Sequence, residues 1–131
     1  MSPHRSRASW AATLAATVLL VLGACTPPPQ QARDLEVPGG DAERGRVVYL
    51  EYGCASCHAT PDVPSVRKGV GPDLDELPDR LYLAGQIPNR PEELIRWIRH
   101  PQQIVPGTLM PDLGVTEQDA RDIAAFLYTA P

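Results

Sequence analysis

The stretch YGCASCH, Tyr52–His58, decides how this chain can fold. Two of the chain's three cysteines, Cys54 and Cys57, stand two residues apart there, and His58 follows the second one directly. The chain has 131 residues with 15 prolines and 10 glycines, so much of it must be turn and loop. A single small domain with few aromatic residues often depends on a staple, a metal or a cofactor. The cysteine pair is the first place to look for that support.

Cys-x-x-Cys-His is the attachment sequence for c-type haem. Each thiol adds to one haem vinyl group, and two intervening residues let both sulfurs reach neighbouring vinyl groups. The next residue then falls over the iron, which predicts His58 as the proximal ligand. The motif therefore predicts one covalently bound haem c, held by Cys54 and Cys57.

Two other uses of this cysteine pair are weaker. A disulfide could form in an exported protein, but a Cys-x-x-Cys redox pair usually opens a helix after a strand, and no such pattern surrounds it. A zinc site would need two more ligands at matching spacing. The chain beyond residue 25 offers one histidine besides His58 and no spare thiol.

The first 24 residues have the pattern of an export signal. Arg5 and Arg7 precede an apolar run that is short for a membrane span, and small residues follow it. An uncleaved anchor helix is the alternative. The run ends in LGAC, Leu22–Cys25, which resembles the lipobox of bacterial lipoproteins and predicts lipidation of Cys25. Ordinary cleavage near Ala24, leaving a free thiol, is the other reading.

Residues 25–40 then form the lipidated cysteine and a proline-rich tether, and residues 41–131 form the folded domain. Loss of the signal lowers the basic residues from 12 to 10 against 16 acidic ones, a formal net charge of −6. This balance argues against nucleic acid as a partner, because phosphate binding needs a basic face.

The helix pattern predicts an all-α domain of three to four helices. Asp41 is a suitable N-cap for a helix that runs to Tyr52, and Pro91 stands at the start of a second helix that Pro101 ends. A third follows Thr116, which with Asp119 resembles a capping box. Residues 59–88 read as loop, with a short helical turn at residues 79–85 and no convincing strand.

A second iron ligand is predicted from the remaining residues. Met110 is the only methionine left after the signal is removed, and it lies in the proline-flanked loop PGTLMP, Pro106–Pro111. A lone methionine is more often core filling, but the haem motif upstream favours a ligand. His100, at the predicted end of a helix, is the competing candidate.

From Asp41 to Thr129 the chain resembles a class I cytochrome c. The resemblance rests on GRVVYLEYGCASCH, GPDL, WIRHPQQIVPGTLMP and DIAAFL, which occur in the family order. It implies the cytochrome c fold, in which proline-rich loops wrap one haem and the first and last helices cross closely. The crossing implied by the resemblance would explain a glycine within the first helix, Gly45, opposite Ile123 and Phe126.

The resemblance also implies roles for further residues. Pro72 would accept a hydrogen bond from the outer nitrogen of the ligand histidine. Arg80 would lie near a haem propionate and Thr108 would reach the same region. Trp97 would pack against the haem beside Met110. Surface charge is the alternative for Arg80 and core packing for Trp97.

The stretch NRPEELIRWIRHPQQIVPGTLMP is similar to a narrower group, the bacterial membrane cytochromes c and the cytochrome domains fused to terminal oxidases. This implies one-electron transfer in a respiratory chain, not catalysis, between membrane-bound donor and acceptor proteins. The domain would be lipid-anchored on the extracytoplasmic side of a bacterial membrane. The lysine ring of the mitochondrial type is absent, since Lys68 is the only lysine.

Two other functions remain open at this point. The protein could be a fixed electron-transfer subunit of an oxidase or dehydrogenase complex. It could also be a peroxidase-like or gas-binding haem protein, in which Met110 leaves the iron. For a carrier, residues 55–56 and 107–111 are predicted as the edge that partners meet.

Overall fold

The computed structural model describes residues 35–67 and 69–129. These form four α-helices, α1 (Ala42–Glu51), α2 (Pro91–Arg99), α3 (Pro101–Ile104) and α4 (Glu117–Thr129), two 3₁₀-helices (Cys54–Ser56 and Leu77–Asp79) and two short strands, β1 (Tyr82–Leu83) and β2 (Ile87–Pro88). The predicted signal peptide, Cys25 and most of the tether lie outside the described residues. No helix among the described ones has the length and apolar character needed to cross a membrane.

Helix α1 leads directly into the cysteine motif. Its N-cap is Asp41, whose side chain accepts a hydrogen bond from Arg44 N at 3.1 Å, as the sequence predicts. Gly53 follows with a left-handed φ of 75°, a conformation that glycine adopts without steric cost. This turn ends the helix and starts the 3₁₀-helix that carries Cys54.

The first and last helices cross at Gly45, which confirms the predicted reason for a glycine there. A Cβ atom at this position would lie 1.9 Å from the backbone oxygen of Asp122. One turn further along α1, Tyr49 and Phe126 pack edge to face, with ring centroids 5.6 Å apart. The backbones of α1 and α4 therefore approach closely at Gly45, and aromatic side chains fill the contact one turn away.

Helices α2 and α4 also begin where the sequence predicts. Pro91 opens α2, and Thr116 Oγ1 accepts a hydrogen bond from Asp119 N at 3.2 Å ahead of α4. Pro101 does follow the end of α2, but it also opens the separate short helix α3, which the sequence analysis does not include.

The predicted helical turn at residues 79–85 is wrong, and so is the absence of strands. Ala84 and Gly85 have positive φ values of 47° and 75°, which no right-handed helix can contain. They turn the chain so that β1 pairs with β2 antiparallel, with Leu83 opposite Ile87. Both of these side chains are buried, so two inward-facing residues are enough to hold the hairpin on the core.

One apolar core lies between the helices and the hairpin. Its buried side chains come from the N-terminal segment, α1, the long loop, the hairpin, α2 and α4: Val37, Val48, Tyr49, Val63, Leu77, Leu83, Ile87, Leu94, Ile95, Ile98, Val115, Ala120, Ile123, Ala124, Ala125, Phe126 and Leu127. Several of them also face the crevice described next, so that core and site are continuous.

Candidate haem site

The cysteine motif is held at the end of α1 by its own backbone. Cys57 N and His58 N both donate to Cys54 O, at 3.1 and 3.0 Å. The hydroxyl of Tyr49 donates to His58 O at 2.9 Å. Because Tyr49 is almost fully buried, burial raises the pKa of its hydroxyl, which stays a neutral donor. The motif is thereby tied to the helix crossing.

The His58 ring is oriented by the loop that follows the motif. Its Nδ1 lies 2.8 Å from Pro72 O, the contact that the resemblance implies. A carbonyl oxygen only accepts, so Nδ1 must carry the proton and Nε2 is left with a free lone pair. A Cβ atom at Gly71 would come within 2.6 Å of ring atom Nδ1. The glycine therefore lets the backbone lie against the imidazole.

Two neighbouring cavities together form a crevice beside His58. They share four lining residues, Cys54, His58, Pro72 and Met110. The first is also lined by Tyr49, Leu74, Leu77, Arg80, Tyr82, Leu83, Ala84, Leu94, Trp97, Ile98, Ile123 and Leu127. The second is also lined by Gly53, Cys57, Val70, Gly71, Thr108, Leu109, Pro111 and Leu113. All eight residues predicted from the sequence for the haem site thus line this crevice.

Met110, not His100, lies at the crevice. Its backbone N donates to Thr108 Oγ1 at 3.3 Å, and its backbone oxygen accepts from Gln102 Nε2 at 2.6 Å. His100 lines neither cavity, and its Nδ1 lies 3.7 Å from an Asp112 carboxylate oxygen instead. The geometry therefore favours Met110 as the second ligand.

Arg80 and Trp97 line the same cavity but come from different parts of the chain. The Arg80 guanidinium donates to Asp73 O and lines the first cavity, where it supplies the positive charge that an acidic propionate would need. Trp97 comes from α2, half-buried between the helix and the cavity. Thr108 lies in the second cavity beside Met110.

The two motif cysteines are free thiols in the structure and are not joined to each other. Burial raises the pKa of the Cys54 thiol to about 11, so the thiol is neutral at pH 7. The thiolate is the form that exchanges disulfides, and the neutral thiol is slow in that reaction. Cys54 lines both cavities and Cys57 lines the second, so both thiols lie beside the crevice.

These residues fit a haem. The crevice is lined mainly by apolar side chains, and it holds an imidazole with a free nitrogen, a thioether and two thiols. The described residues contain no group of three or more His, Cys, Asp and Glu side chains that could hold a metal ion by themselves.

Three residues of this site are not predicted from the sequence. They are Gly71, Tyr49, whose hydroxyl contacts the motif, and Gln102. Gly71 is visible in GPDL beside Pro72, but nothing local shows that the His58 ring lies against it. The Gln102 contact depends on helix α3, which the sequence analysis does not predict.

Comparison with known proteins identifies the family of this chain. The sequence model of the family described as Cytochrome c matches residues 42–131, so the chain belongs to the cytochrome c family. Members of this family are haem proteins that carry electrons, and the cofactor is a covalently attached haem c. The class I resemblance and the mainly helical fold are therefore confirmed.

Three known proteins contain a sequence similar to this chain. The chain is 34% identical over 87 residues to cytochrome c oxidase subunit 2 of Alkalihalophilus pseudofirmus, covering 66% of this chain and 25% of that one. It is 31% identical over 83 residues to the same subunit of Bacillus sp. (strain PS3), covering 62% and 23%. It is 33% identical over 105 residues to cytochrome c2 of Rhodopila globiformis, covering 70% and 95%. The chain therefore spans about a quarter of the length of the two oxidase subunits.

Proposed function

We propose that this protein is a one-electron carrier of a membrane respiratory chain that delivers electrons to a terminal oxidase. The observation that carries the proposal is the placement of His58 and Met110 at one apolar crevice, with the two motif thiols beside it. These side chains would hold haem c through two thioethers and two iron ligands.

Haem c supplies a one-electron Fe(II)/Fe(III) couple when it is bound. His58 would bind the iron, with its ring held in place by Pro72 O. Met110 would be the second iron ligand, and a thioether raises the reduction potential relative to a second histidine. Because the chain's own side chains would supply both ligands, the iron would not be open to a small substrate, which favours a carrier over an enzyme.

The rim of the crevice supports a partner of low charge. Leu109 is 90% exposed beside Met110, and Val70 and Leu113 are exposed on the same cavity. The exposed loop residue Val66 lies close by, since its backbone N donates to Ala55 O at 2.9 Å. We call Val66, Val70, Leu109 and Leu113 the apolar rim. Redox encounters are small and transient, and a rim of this kind suits them.

Attachment to the membrane is part of the proposal. The LGAC sequence supports lipidation of Cys25 after export, on the extracytoplasmic side of a bacterial membrane. Val37 packs in the core, so the predicted tether is shorter than residues 25–40, and the part of it before Val37 would let the domain move above the membrane. Anchoring raises the effective concentration of the carrier near membrane-bound donors and acceptors.

A second candidate function is a fixed subunit of an oxidase complex. Two of the relatives carry the name cytochrome c oxidase subunit 2, which favours this reading. Mild detergent extraction followed by size-exclusion chromatography separates the two. A haem protein that elutes alone supports the carrier, and stable co-elution with oxidase subunits supports the fixed subunit.

The test of the ligand assignment is the visible spectrum of the full chain, produced with haem-maturation machinery. We expect low-spin bands in the reduced form, a weak iron–methionine band in the oxidised form and no change under carbon monoxide. Met110→Ala should lose the iron–methionine band and should bind carbon monoxide. His100→Ala should keep the band and should not bind carbon monoxide. A wild-type protein that is high-spin or binds carbon monoxide readily would overturn the closed carrier.

A further inference from the structure

The loop that carries Met110 has little regular structure of its own. One turn in it is closed by a hydrogen bond from Thr108 N to Val105 O at 3.1 Å. Among the described residues, neither backbone group of Met110 takes part in a backbone–backbone hydrogen bond. The position of Met110 therefore depends on the side chains that reach its backbone.

Two side chains do so, and they differ in strength. Thr108 Oγ1 accepts from Met110 N at 3.3 Å, beyond the usual range of an N–H···O hydrogen bond. Gln102 Nε2 donates to Met110 O at 2.6 Å, slightly below the usual range and the closer of the two contacts. Because the carbonyl oxygen can only accept, the amide group of Gln102 must present its NH₂. Gln102 is thus the stronger of the two contacts.

Gln102 extends from a firmly placed element. Pro101, the residue before it, is fully buried and has a fixed φ. Val105 N donates back to Pro101 O at 2.9 Å and closes helix α3. The Gln102 side chain therefore joins the ligand loop to a fixed point at the base of that loop.

We propose that Gln102 is a positioning residue that holds the Met110 loop closed over the crevice and so keeps Met110 in place. This inference rests on the proposed function, in which Met110 is an iron ligand. Without the donor, Met110 O would turn toward water and the loop would open more often. An added ligand could then replace Met110 more easily.

Three variants separate the hydrogen bond from other effects. Gln102→Leu keeps most of the volume and loses the donor, whereas Gln102→Lys keeps an N–H donor with sufficient reach. Gln103→Leu is the matched control, because Gln103 is the next residue of α3, is exposed, and makes no side-chain hydrogen bond among the described residues.

The experiment is an imidazole titration of the oxidised, haem-loaded full chain. Loss of the weak iron–methionine band is the signal that reports imidazole binding. A neutral hydrogen bond changes an equilibrium by roughly two- to tenfold. We expect Gln102→Leu to bind imidazole tighter by about that factor. Gln102→Lys and Gln103→Leu should stay close to wild type. If Gln102 only stabilised the fold, Gln102→Leu would lower the denaturation midpoint without changing the affinity for imidazole.

The outcomes keep the two proposals apart. If the wild type shows the iron–methionine band and Gln102→Leu binds imidazole no tighter than Gln103→Leu, the role of Gln102 is overturned and the carrier stands. If the wild type shows no such band, Met110 is not the ligand and both proposals fail. Tighter imidazole binding in Gln102→Leu, with Gln102→Lys close to wild type, supports the inference.

Discussion

Gly45 sets the distance between the first and last helices. Replacing it with alanine would place a Cβ atom 1.9 Å from Asp122 O, and a backbone atom cannot move aside cheaply. We expect Gly45→Ala to lower the free energy of unfolding by about 2–3 kcal/mol, as overpacking does. Denaturant unfolding of the haem-loaded protein would measure it.

Arg46→Ala is the control for this substitution, since Arg46 is exposed on the same helix and should change stability by less than about 0.5 kcal/mol. Equal stability of both variants would mean that the helices can separate without loss, contrary to the close crossing.

Tyr49 links this crossing to the haem motif. Tyr49→Phe keeps the ring against Phe126 but removes the donor to His58 O. An acceptor left without its partner in a buried place costs about 1–3 kcal/mol. We expect that loss in denaturant unfolding, with a shifted reduction potential because His58 is less firmly held. Val47→Ser, at an exposed residue of the same helix that lines neither cavity, should change neither quantity.

At the scale of elements, a polar network holds α1 against α4. The Arg44 guanidinium donates to the carboxylates of Asp119 and Asp122, and Tyr52 and Thr116 donate to Asp119 at 2.8 and 2.6 Å. These hydroxyl hydrogen bonds and then the Arg44 guanidinium lower the pKa of Asp119. The carboxylate form is therefore the one that stabilises the helix pair.

This network predicts acid sensitivity. Because the Asp119 pKa is lower in the folded than in the unfolded protein, the stabilisation is present above the unfolded value of about 4 and is lost as pH falls through the folded value. We expect Asp119→Asn to be less stable at pH 7 and to lose less stability between pH 7 and acid. Unfolding free energies measured across this pH range would show the flatter profile.

Acid also affects the haem ligands, and this effect is the same in every variant. Asp75→Asn, which changes an exposed carboxylate outside the network, is the control for it. A profile for Asp119→Asn that is parallel to wild type would contradict the assignment.

Local signals explain which elements could be predicted. Helices α1 and α4 begin directly after Asp41 and Thr116, and α2 begins at Pro91, so the residues that mark each start are close together in the sequence. The hairpin was not predicted because each of its strands has only two residues, which is too short to show an alternation of apolar and polar side chains. Its turn also places Ala84, an ordinary helix former, at a positive φ.

The same distinction between local and long-range signals applies to the site and to the network beside it. Cys54, Cys57 and His58 can be predicted because haem attachment requires their spacing. Met110 is predicted because it is the only methionine after the signal, and Pro72 only through the family resemblance. The contacts of Arg44 with Asp119 and Asp122 join residues 75 and 78 positions apart, and no local pattern reveals such pairs. Gln102 is only eight positions from Met110, yet its contact needs the turn that α3 introduces.

At the scale of the whole molecule, the apolar rim predicts how the protein meets its partner. Leu109→Ser should lower the rate of electron transfer to oxidase-containing membranes several-fold, about 1 kcal/mol, because an exposed anchor side chain is lost from the interface. The spectrum and the reduction potential should stay unchanged. The wild-type rate should vary only weakly with salt, since the rim residues carry no charge.

Val47→Ser provides the comparison, because Val47 is exposed on α1 and lines neither cavity of the crevice. A Leu109→Ser rate equal to that of Val47→Ser, or a steep fall of the wild-type rate with salt, would place the docking surface elsewhere.

The contact between α1 and α4 also bears on how such domains are joined to other proteins. Leu35 and Glu36 line the same cavity as Tyr128 and Thr129, so the first and last described residues of the domain lie near each other. A domain with adjacent ends can be appended to a longer polypeptide, or linked to a lipid, without threading any part of its core. Such an arrangement is compatible with the occurrence of similar sequences both as nearly the whole of a cytochrome c2 and as about a quarter of an oxidase subunit.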